Sequence, residues 1–395
     1  MVIYIHIPFC IKKCSYCDFL SAPCDGDTRA RYIDALINEI EYYGKRYGRA
    51  GKNIPVNSVF FGGGTPSAID GEHIANILGA VREHYYIVEN AEVTVECNPG
   101  TIDEHKLACY REAGVNRLSI GLQSADDDEL KSIGRIHTYE EFVSGYRMAR
   151  EQGFKNINID IMSALPNQTV ESYGDTLRKV IELKPEHISA YSLILEEGTP
   201  LYEKITALEN AGQTTGLPDE DTEREMYYMT GRLLGEAGYH RYEISNYATD
   251  GLRCYHNMAY WKREDYLGLG LGASSCMENV RTKNITDLNK YIDILSDGEK
   301  QGLPEAVRET DETIELSEED MMAEFMFLGL RMTEGVSKAQ FNRCFSRDYN
   351  TVYGKLTDKL IGEGLMEMAE NGDNLRLTEL GVDVSNMVMC QFLPE

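Results

Sequence analysis

Three cysteines stand close together near the start of the chain, as Cys10-x-x-x-Cys14-x-x-Cys17. Thiolates at this spacing suit a soft metal centre, and three of them can bind three irons of a 4Fe–4S cluster while the fourth iron stays open. The rival centre is zinc with His6 as a fourth ligand. His6 lies in the apolar, β-branched stretch Val2–Ile7, and on a strand its side chain faces away from Ile5 and Ile7. A structural zinc site also tends to bring a second pair of ligands, so the spacing favours the cluster. The other cysteines, Cys24, Cys97, Cys109, Cys254, Cys276, Cys344 and Cys390, are scattered, and each reads most simply as a small buried apolar residue. A long chain with one tight thiol group reads as cytoplasmic, where thiols stay reduced and serve metals or catalysis.

The elements that would position this loop alternate. Strands are expected at Val2–Ile7, Ser58–Phe61, Ala91–Cys97, Asn116–Leu122, Asn156–Met162 and His187–Leu195. Between them, apolar residues at helical spacing mark helices at Asp27–Tyr43, Ile69–Glu83, Asp103–Ala113, Tyr139–Gln152 and Val170–Leu183. Short βα alternations imply a parallel sheet with right-handed crossovers, either doubly wound or rolled towards a barrel. In both, chemistry gathers at the carboxyl ends of the strands. Cys10, Gly62–Gly64, Glu96, Gln123 and Asp160 are expected there, facing one rim.

Beyond about residue 200 the pattern changes. Gly216–Glu225 reads as an acidic loop before a helix, Met226–Glu236, and Tyr242–Trp261 is rich in aromatics. Glu305–Asp320 reads as a solvated acidic linker. Helices near Met321–Met332, Lys338–Phe345 and Val352–Glu363, then a hairpin within Leu365–Leu377 and a last helix, give a winged-helix-like module. With 39 basic against 65 acidic residues and a net charge of −26, the chain lacks the basic footprint of a nucleic-acid binder. The module therefore reads as a structural or protein-contact unit. No apolar run is long enough to span a membrane, the first residues lack the basic start of a signal peptide, and any membrane contact would be peripheral.

The segment YIHIPFCIKKCSYCDF, Tyr4–Phe19, resembles the radical S-adenosylmethionine (SAM) superfamily. The branch it resembles holds oxygen-independent coproporphyrinogen III oxidase and the HemW group of heme chaperones. The resemblance continues in register through GGGTPS at Gly62–Ser67, ECNP at Glu96–Pro99, SIGLQS at Ser119–Ser124 and IGRIH at Ile133–His137. NIDIM at Asn158–Met162, LPNQT at Leu165–Thr169, YEISNYA at Tyr242–Ala248 and HNMAYW at His256–Trp261 extend it over essentially the whole chain. It implies a partial (β/α)6 TIM barrel at 1–235, an extension carrying the HNxxYW motif at 236–304, and a mainly helical winged-helix-like domain at 305–395.

The resemblance also implies a chemistry. Cys10, Cys14 and Cys17 would hold the cluster, SAM would chelate the open iron, and one electron from the cluster would cleave SAM to a 5′-deoxyadenosyl radical. Gly63, Gly64 and Thr65, in the Gly62–Thr65 loop, would let backbone approach SAM, where a tight turn is the plainer account. Glu96 would meet polar groups of SAM or substrate, against an exposed strand-end carboxylate. Gln123 and Arg135 match positions at a second SAM in the oxidase, against ordinary surface hydrogen bonds. Asp160 in an apolar strand needs a partner, for which a ribose hydroxyl serves, against a core cap. Tyr4 and Tyr16 would pack on SAM, against plain core aromatics.

Two departures bear on function. The oxidase carries a further cysteine two residues after the third, and here that position is Phe19. The cluster motif begins at residue 10, without the oxidase's extended N-terminal arm. HNMAYW matches the motif of the HemW group, with His256 as an axial heme ligand beside aromatic residues, against a satisfied structural histidine. The expectation is a heme chaperone with a cluster, SAM and heme, served by an electron donor and delivering heme to respiratory acceptor proteins. The alternatives are coproporphyrinogen oxidation and another radical SAM activity, such as a methyltransferase or cyclopropanase.

Overall fold

The computed structural model describes residues 1–296 and 304–394. The end of the expected middle region, 297–303, and Glu395 lie outside the described residues.

The first two hundred residues build the alternation that the sequence predicts. Strand β1 (Val2–Ile7) leads to α1 (Gly26–Tyr47), β2 (Val56–Gly63) to α2 (Gly71–His84), and β3 (Ile87–Cys97) to α3 (Glu104–Ala113). Then come β4 (Arg117–Gln123), α4 (Asp127–Ser132), α5 (Tyr139–Glu151), β5 (Ile157–Ser163), α6 (Val170–Leu183) and β6 (His187–Ser192). Side chains set the helix starts. Asp25 accepts from the Thr28 amide at α1, and Thr138 with Glu141 forms a capping box at α5. All six strands run parallel in sequence order.

The pleat of these strands sorts two chemistries. Ile3, Ile5, Val59, Phe61, Val93, Val95, Leu118, Ile120, Ile159 and Ile161 pack outward into one core beneath the helices. Each such burial contributes roughly 1.5–3 kcal/mol. The alternate positions, Tyr4, His6, Ser58, Glu96, Arg117, Ser119, Asn158, Asp160, His187 and Ser189, belong to the inner face, where Ser119, Asn158, Asp160, His187 and Ser189 are joined by hydrogen bonds from strand to strand. The interior of the curved sheet is thus polar and its exterior apolar.

After β6 come α7 (Pro200–Asn210) and α8 (Glu220–Glu236), which starts six residues before the expected Met226 because Asp219 caps it. Short strand β8 (Asn246–Ala248) adds antiparallel to β6, and β7 (His240–Arg241) pairs antiparallel with β8. Helix α9 (Tyr255–Trp261) precedes β9 (Tyr266–Leu269), a seventh parallel strand beside β1 that the sequence reading lacks. Next are β10 (Ser274–Met277), β11 (Val280–Lys283), α10 (Leu288–Ser296) and β12 (Ile314–Glu315). The sheet then reads β12-β11-β10-β9-β1-β2-β3-β4-β5-β6-β8-β7. The expected linker at 305–320 is therefore partly structured: β12 pairs with β11, and Val307 is buried in the main core.

The last segment holds α11 (Glu318–Gly329), β13 (Val336–Ser337), α12 (Lys338–Phe345), α13 (Tyr349–Gly362), β14 (Met366–Met368) and β15 (Asn374–Leu377), then α14 (Glu379–Asp383) and α15 (Ser385–Cys390). Its own sheet, β13-β15-β14, and its own core around Met326, Phe341, Tyr349, Leu360 and Leu375 give the winged-helix-like arrangement. It rests on the barrel through Arg331, stacked 4.3 Å from the Trp261 ring, and through the Arg263–Glu324 pair at 2.8 Å. Of the scattered cysteines, Cys97, Cys254 and Cys276 are buried as expected; Cys344 and Cys390 are exposed, which corrects the reading of both as core residues. Among the described residues no helix is long and apolar enough to cross a membrane.

Candidate functional site

The carboxyl ends of β1 and β2 are stitched to each other before any ligand is considered. The Gly64 amide donates to the Ile7 carbonyl at 2.9 Å and the Thr65 amide to the Phe9 carbonyl at 2.8 Å. Thr65 Oγ1 then lies 3.4 Å from Cys10 Sγ. Gly63 has φ +114°, and a Cβ there would come within 2.5 Å of the His6 ring, so only glycine fits. At Gly64 a Cβ would meet the Phe9 carbonyl oxygen at 2.8 Å. The space beside these glycines is filled by the protein itself, so packing between the two loops requires them whatever the loop binds.

Cys10, Cys14 and Cys17 are partly buried thiols on this loop. Arg135, from the segment after α4, points Nη1 at Cys14 Sγ, 3.6 Å away, and donates through Nη2 to the Gly121 carbonyl. Burial pushes the Cys17 thiol up. His6 does not offer a fourth ligand: its Nε2 is 2.9 Å from the Leu20 carbonyl and its Nδ1 is 3.1 Å from Tyr4 Oη. Burial lowers its pKa. Phe19 stands exposed at the edge of the loop. Three thiols with no fourth donor beside them among the described residues form a set that fits a cubane with one open iron better than a closed tetrahedral zinc site. An arginine N–H aimed at a ligating sulfur would also tune such a cluster.

The other expected residues surround this loop. Tyr16 packs against Ile133, Met162 and Leu165, and its hydroxyl is held neutral by burial. Gln123 ends β4 with φ +74°, and its Nε2 and Arg135 Nη2 both lie 2.9 Å from where a Cβ at Gly121 would stand. Glu96 accepts the Gly63 amide at 3.2 Å, and its carboxyl is pushed up to about 8 by burial and then by nearby Asp160. It is enclosed by the barrel and is not the exposed strand-end carboxylate that was the plainer alternative. Asp160 sits in the middle of β5 rather than at the rim. It accepts from Asn158 Nδ2 at 2.7 Å and Ser119 Oγ at 3.2 Å, and burial raises its pKa.

His256 is placed away from the cysteine loop, towards the amino-terminal end of the barrel, with its ring 6.4 Å from that of Tyr4. Glu92 caps α9 by accepting the amides of Tyr255 and His256, each at 3.0 Å. The His256 ring is stacked on Phe60 at 4.8 Å, with Nδ1 3.1 Å from Ser58 Oγ and Nε2 3.2 Å from Tyr260 Oη. It is 2% exposed, and burial pushes its pKa down to about 3. The imidazole expected as an axial heme ligand is thus a neutral ring with both nitrogens engaged, as in the alternative of a satisfied structural histidine. An axial role would require one of those bonds to be exchanged for iron.

Sequence reasoning missed the network behind Asp160. Asn158 Oδ1 accepts from His187 Nδ1 at 2.6 Å and from Ser189 Oγ at 3.1 Å, and His187 Nε2 is 2.8 Å from Tyr242 Oη. Its signal was present as polar residues two apart in apolar strands: Arg117 and Ser119, Asn158 and Asp160, His187 and Ser189.

Comparison with known proteins fits this geometry. Residues 4–180 match the Radical SAM superfamily, and residues 316–384 match the HemN C-terminal domain. The fold is that of coproporphyrinogen III oxidase (HemN) from Escherichia coli, with a TM-score of 0.80 and 23% identity over 99% of this chain and 89% of that one. The fold and the cysteine loop together define a radical SAM protein. The chain is 35% identical to the heme chaperone HemW of Bacillus subtilis over 99% of both chains. It is also 35% identical to that of Haemophilus influenzae, over 100% of this chain and 98% of the relative. A mouse mitochondrial protein named for its radical S-adenosyl methionine domain is 32% identical over 100% of this chain and 87% of its own. The chain belongs to the HemW family.

Proposed function

We propose that this protein is a heme chaperone: it binds heme, holds a 4Fe–4S cluster with SAM, and passes heme to acceptor proteins. The observation that carries the reading is full-length similarity to proteins named heme chaperone HemW, at 35% identity over 99% of both chains. Phe19 at the position of the oxidase's further cysteine supports it. So does a set of exposed apolar side chains, Ile11, Phe19, Ile136 and Ile194, on the segments around the cysteine loop. Exposed apolar surface of this kind suits a flat apolar cofactor or a partner protein.

In this reading Cys10, Cys14 and Cys17 ligate the cluster, and Arg135 orients Cys14. Tyr4, Tyr16, Gly63, Gly64, Thr65, Glu96, Gln123 and Asp160 line the SAM side of the barrel. Asp160, held by Ser119 and Asn158, is pre-positioned to accept hydroxyl donors, and the neutral Glu96 carboxyl can donate or accept. When bound, cluster and SAM supply one-electron chemistry at a sulfonium. His256 reaches heme only by leaving Ser58 or Tyr260. Residues 1–235 serve as the radical SAM core and 236–304 as the extension, whose sheet runs on to β12, and the contact module follows from about residue 316. A cluster held by reduced thiols suits the cytoplasm. An electron donor and respiratory heme acceptors complete the set of partners.

The reading is tested by transfer. The anaerobically reconstituted protein, loaded with heme and mixed with an apo heme protein, should lose its own Soret band as the acceptor's grows. Absence of stoichiometric heme binding would contradict it.

A further inference from the structure

On the outer surface of the barrel, where α2 and α3 pack side by side, Glu72, His105 and Cys109 each bring one ligand atom within 4.8 Å of the others. The group lies on α2 and α3, away from the cysteine loop, and the proposed function leaves it unused. His105 and Cys109 are i and i+4 on α3, so one helical turn places them on the same face. Glu72 stands in the first turn of α2. Its Oε1 is 3.4 Å from His105 Nε2, and His105 Nδ1 is 4.0 Å from Cys109 Sγ.

Two features of the surroundings bear on the thiol. The first is room for the thiol. Cys109 sits over Gly71, where a Cβ would come within 2.8 Å of the Cys109 Cβ and 3.2 Å of its sulfur. The second is charge: Glu72, Glu112 and Asp103 all add negative potential at the thiol.

We propose that Glu72, His105 and Cys109 form a second metal site, which binds one zinc-class divalent ion between α2 and α3. The donor set decides the class. A sulfur and an imidazole nitrogen select a borderline metal such as zinc over magnesium or calcium, which take oxygen ligands. Tetrahedral zinc with Zn–S of about 2.3 Å and Zn–N or Zn–O of about 2.0–2.2 Å needs its ligand atoms about 3.3–3.7 Å apart. The 3.4 Å from Glu72 Oε1 to His105 Nε2 meets this; Cys109 Sγ lies nearer the Nδ1 side of the ring and must turn towards Nε2, from a starting arrangement in which the three ligand atoms fall within 4.8 Å of one another. Three protein ligands leave the fourth position to water. The Cys109 thiol gives its proton to solvent as the metal–sulfur bond forms, and no electron is transferred. The ion clips two helices that otherwise touch through side chains, and it competes with iron for nothing, since the cluster thiols lie on another loop.

The test uses the reconstituted full-length protein under anaerobic conditions. Zinc is added against a chromophoric chelator of moderate affinity, and the retained zinc is examined at its own X-ray absorption edge, where iron does not interfere. The expected result is one zinc per chain with a single sulfur neighbour. Cys109→Ser and His105→Ala should each weaken zinc binding at least tenfold with cluster iron unchanged, since both residues are at the surface of a folded barrel. No retained zinc, equal retention in both variants, or two or more sulfur neighbours, which would place the ion on the cysteine loop, would each overturn the proposal.

Discussion

The two ends of the barrel use similar side chains to different ends. At the carboxyl end, thiols sit partly buried on a loop, Arg135 points at a sulfur, and Ile11, Phe19, Ile136 and Ile194 are exposed. At the amino-terminal end, α9 is seated by the Glu92 carboxylate and a buried imidazole is bonded at both nitrogens. The first arrangement leaves donor capacity and apolar surface uncommitted; the second commits its histidine fully. A motif histidine therefore says little until its partners are known. A buried neutral ring with two partners holds structure, whereas soft donors beside a cation await a metal.

The largest effect that would sharpen this contrast is at the cysteine loop. Cys14→Ala should lose the cluster, measured as iron against the roughly four irons per chain of the reconstituted protein. A full cluster in the variant lacking Cys10, Cys14 and Cys17 would break the assignment. At the opposite end, His256→Ala should cost about 2–4 kcal/mol of stability, because it opens a cavity beside Phe60 and strands buried Ser58. Denaturant unfolding checks this, and cluster iron should be retained. A variant as stable as the parent would show that the ring is not a structural member.

Smaller effects are expected inside the barrel. Asp160→Ala should weaken SAM binding by about 1–3 kcal/mol, one lost or stranded polar contact, read by equilibrium binding to the reconstituted protein. Unchanged affinity would move the SAM site away from β5. A pH-dependent effect concerns Glu96, whose carboxyl is raised from the usual 4.5 to about 8. Across that window the folded protein keeps a proton that the unfolded chain has released, so stability falls as pH rises from 4.5 to about 8. Glu96→Gln should flatten this slope by less than about 1.4 kcal/mol per pH unit. An identical pH profile in the variant would show that Glu96 titrates normally.

Much of this was legible because it is written in period and spacing. Strands β1 to β6 announce themselves through alternation between apolar runs and turn residues, and the cysteine loop through three identical side chains in a short segment. Strand β9 did not, because it has only four residues, Tyr266–Leu269, with a glycine among them. It exists through pairing with β1, a contact more than 250 residues away in sequence. The start of α8 was missed because acidic residues in a first helical turn look like a solvated loop until the Asp219 cap is seen. At the site, Asp160 was visible as a charge among isoleucines, but its partners lie on neighbouring strands. The surroundings of His256 were hidden for the same reason: Ser58 and Phe60 precede it by about 200 residues, and only the folded barrel brings them to it.

The proposed role is to carry heme rather than to make its precursor. The most direct measurement is tetrapyrrole analysis after anaerobic incubation of the reconstituted protein with coproporphyrinogen III, SAM and a strong reductant. For a heme carrier, coproporphyrinogen III should be recovered unchanged by a preparation that binds heme stoichiometrically. Formation of protoporphyrinogen IX with consumption of SAM would contradict it.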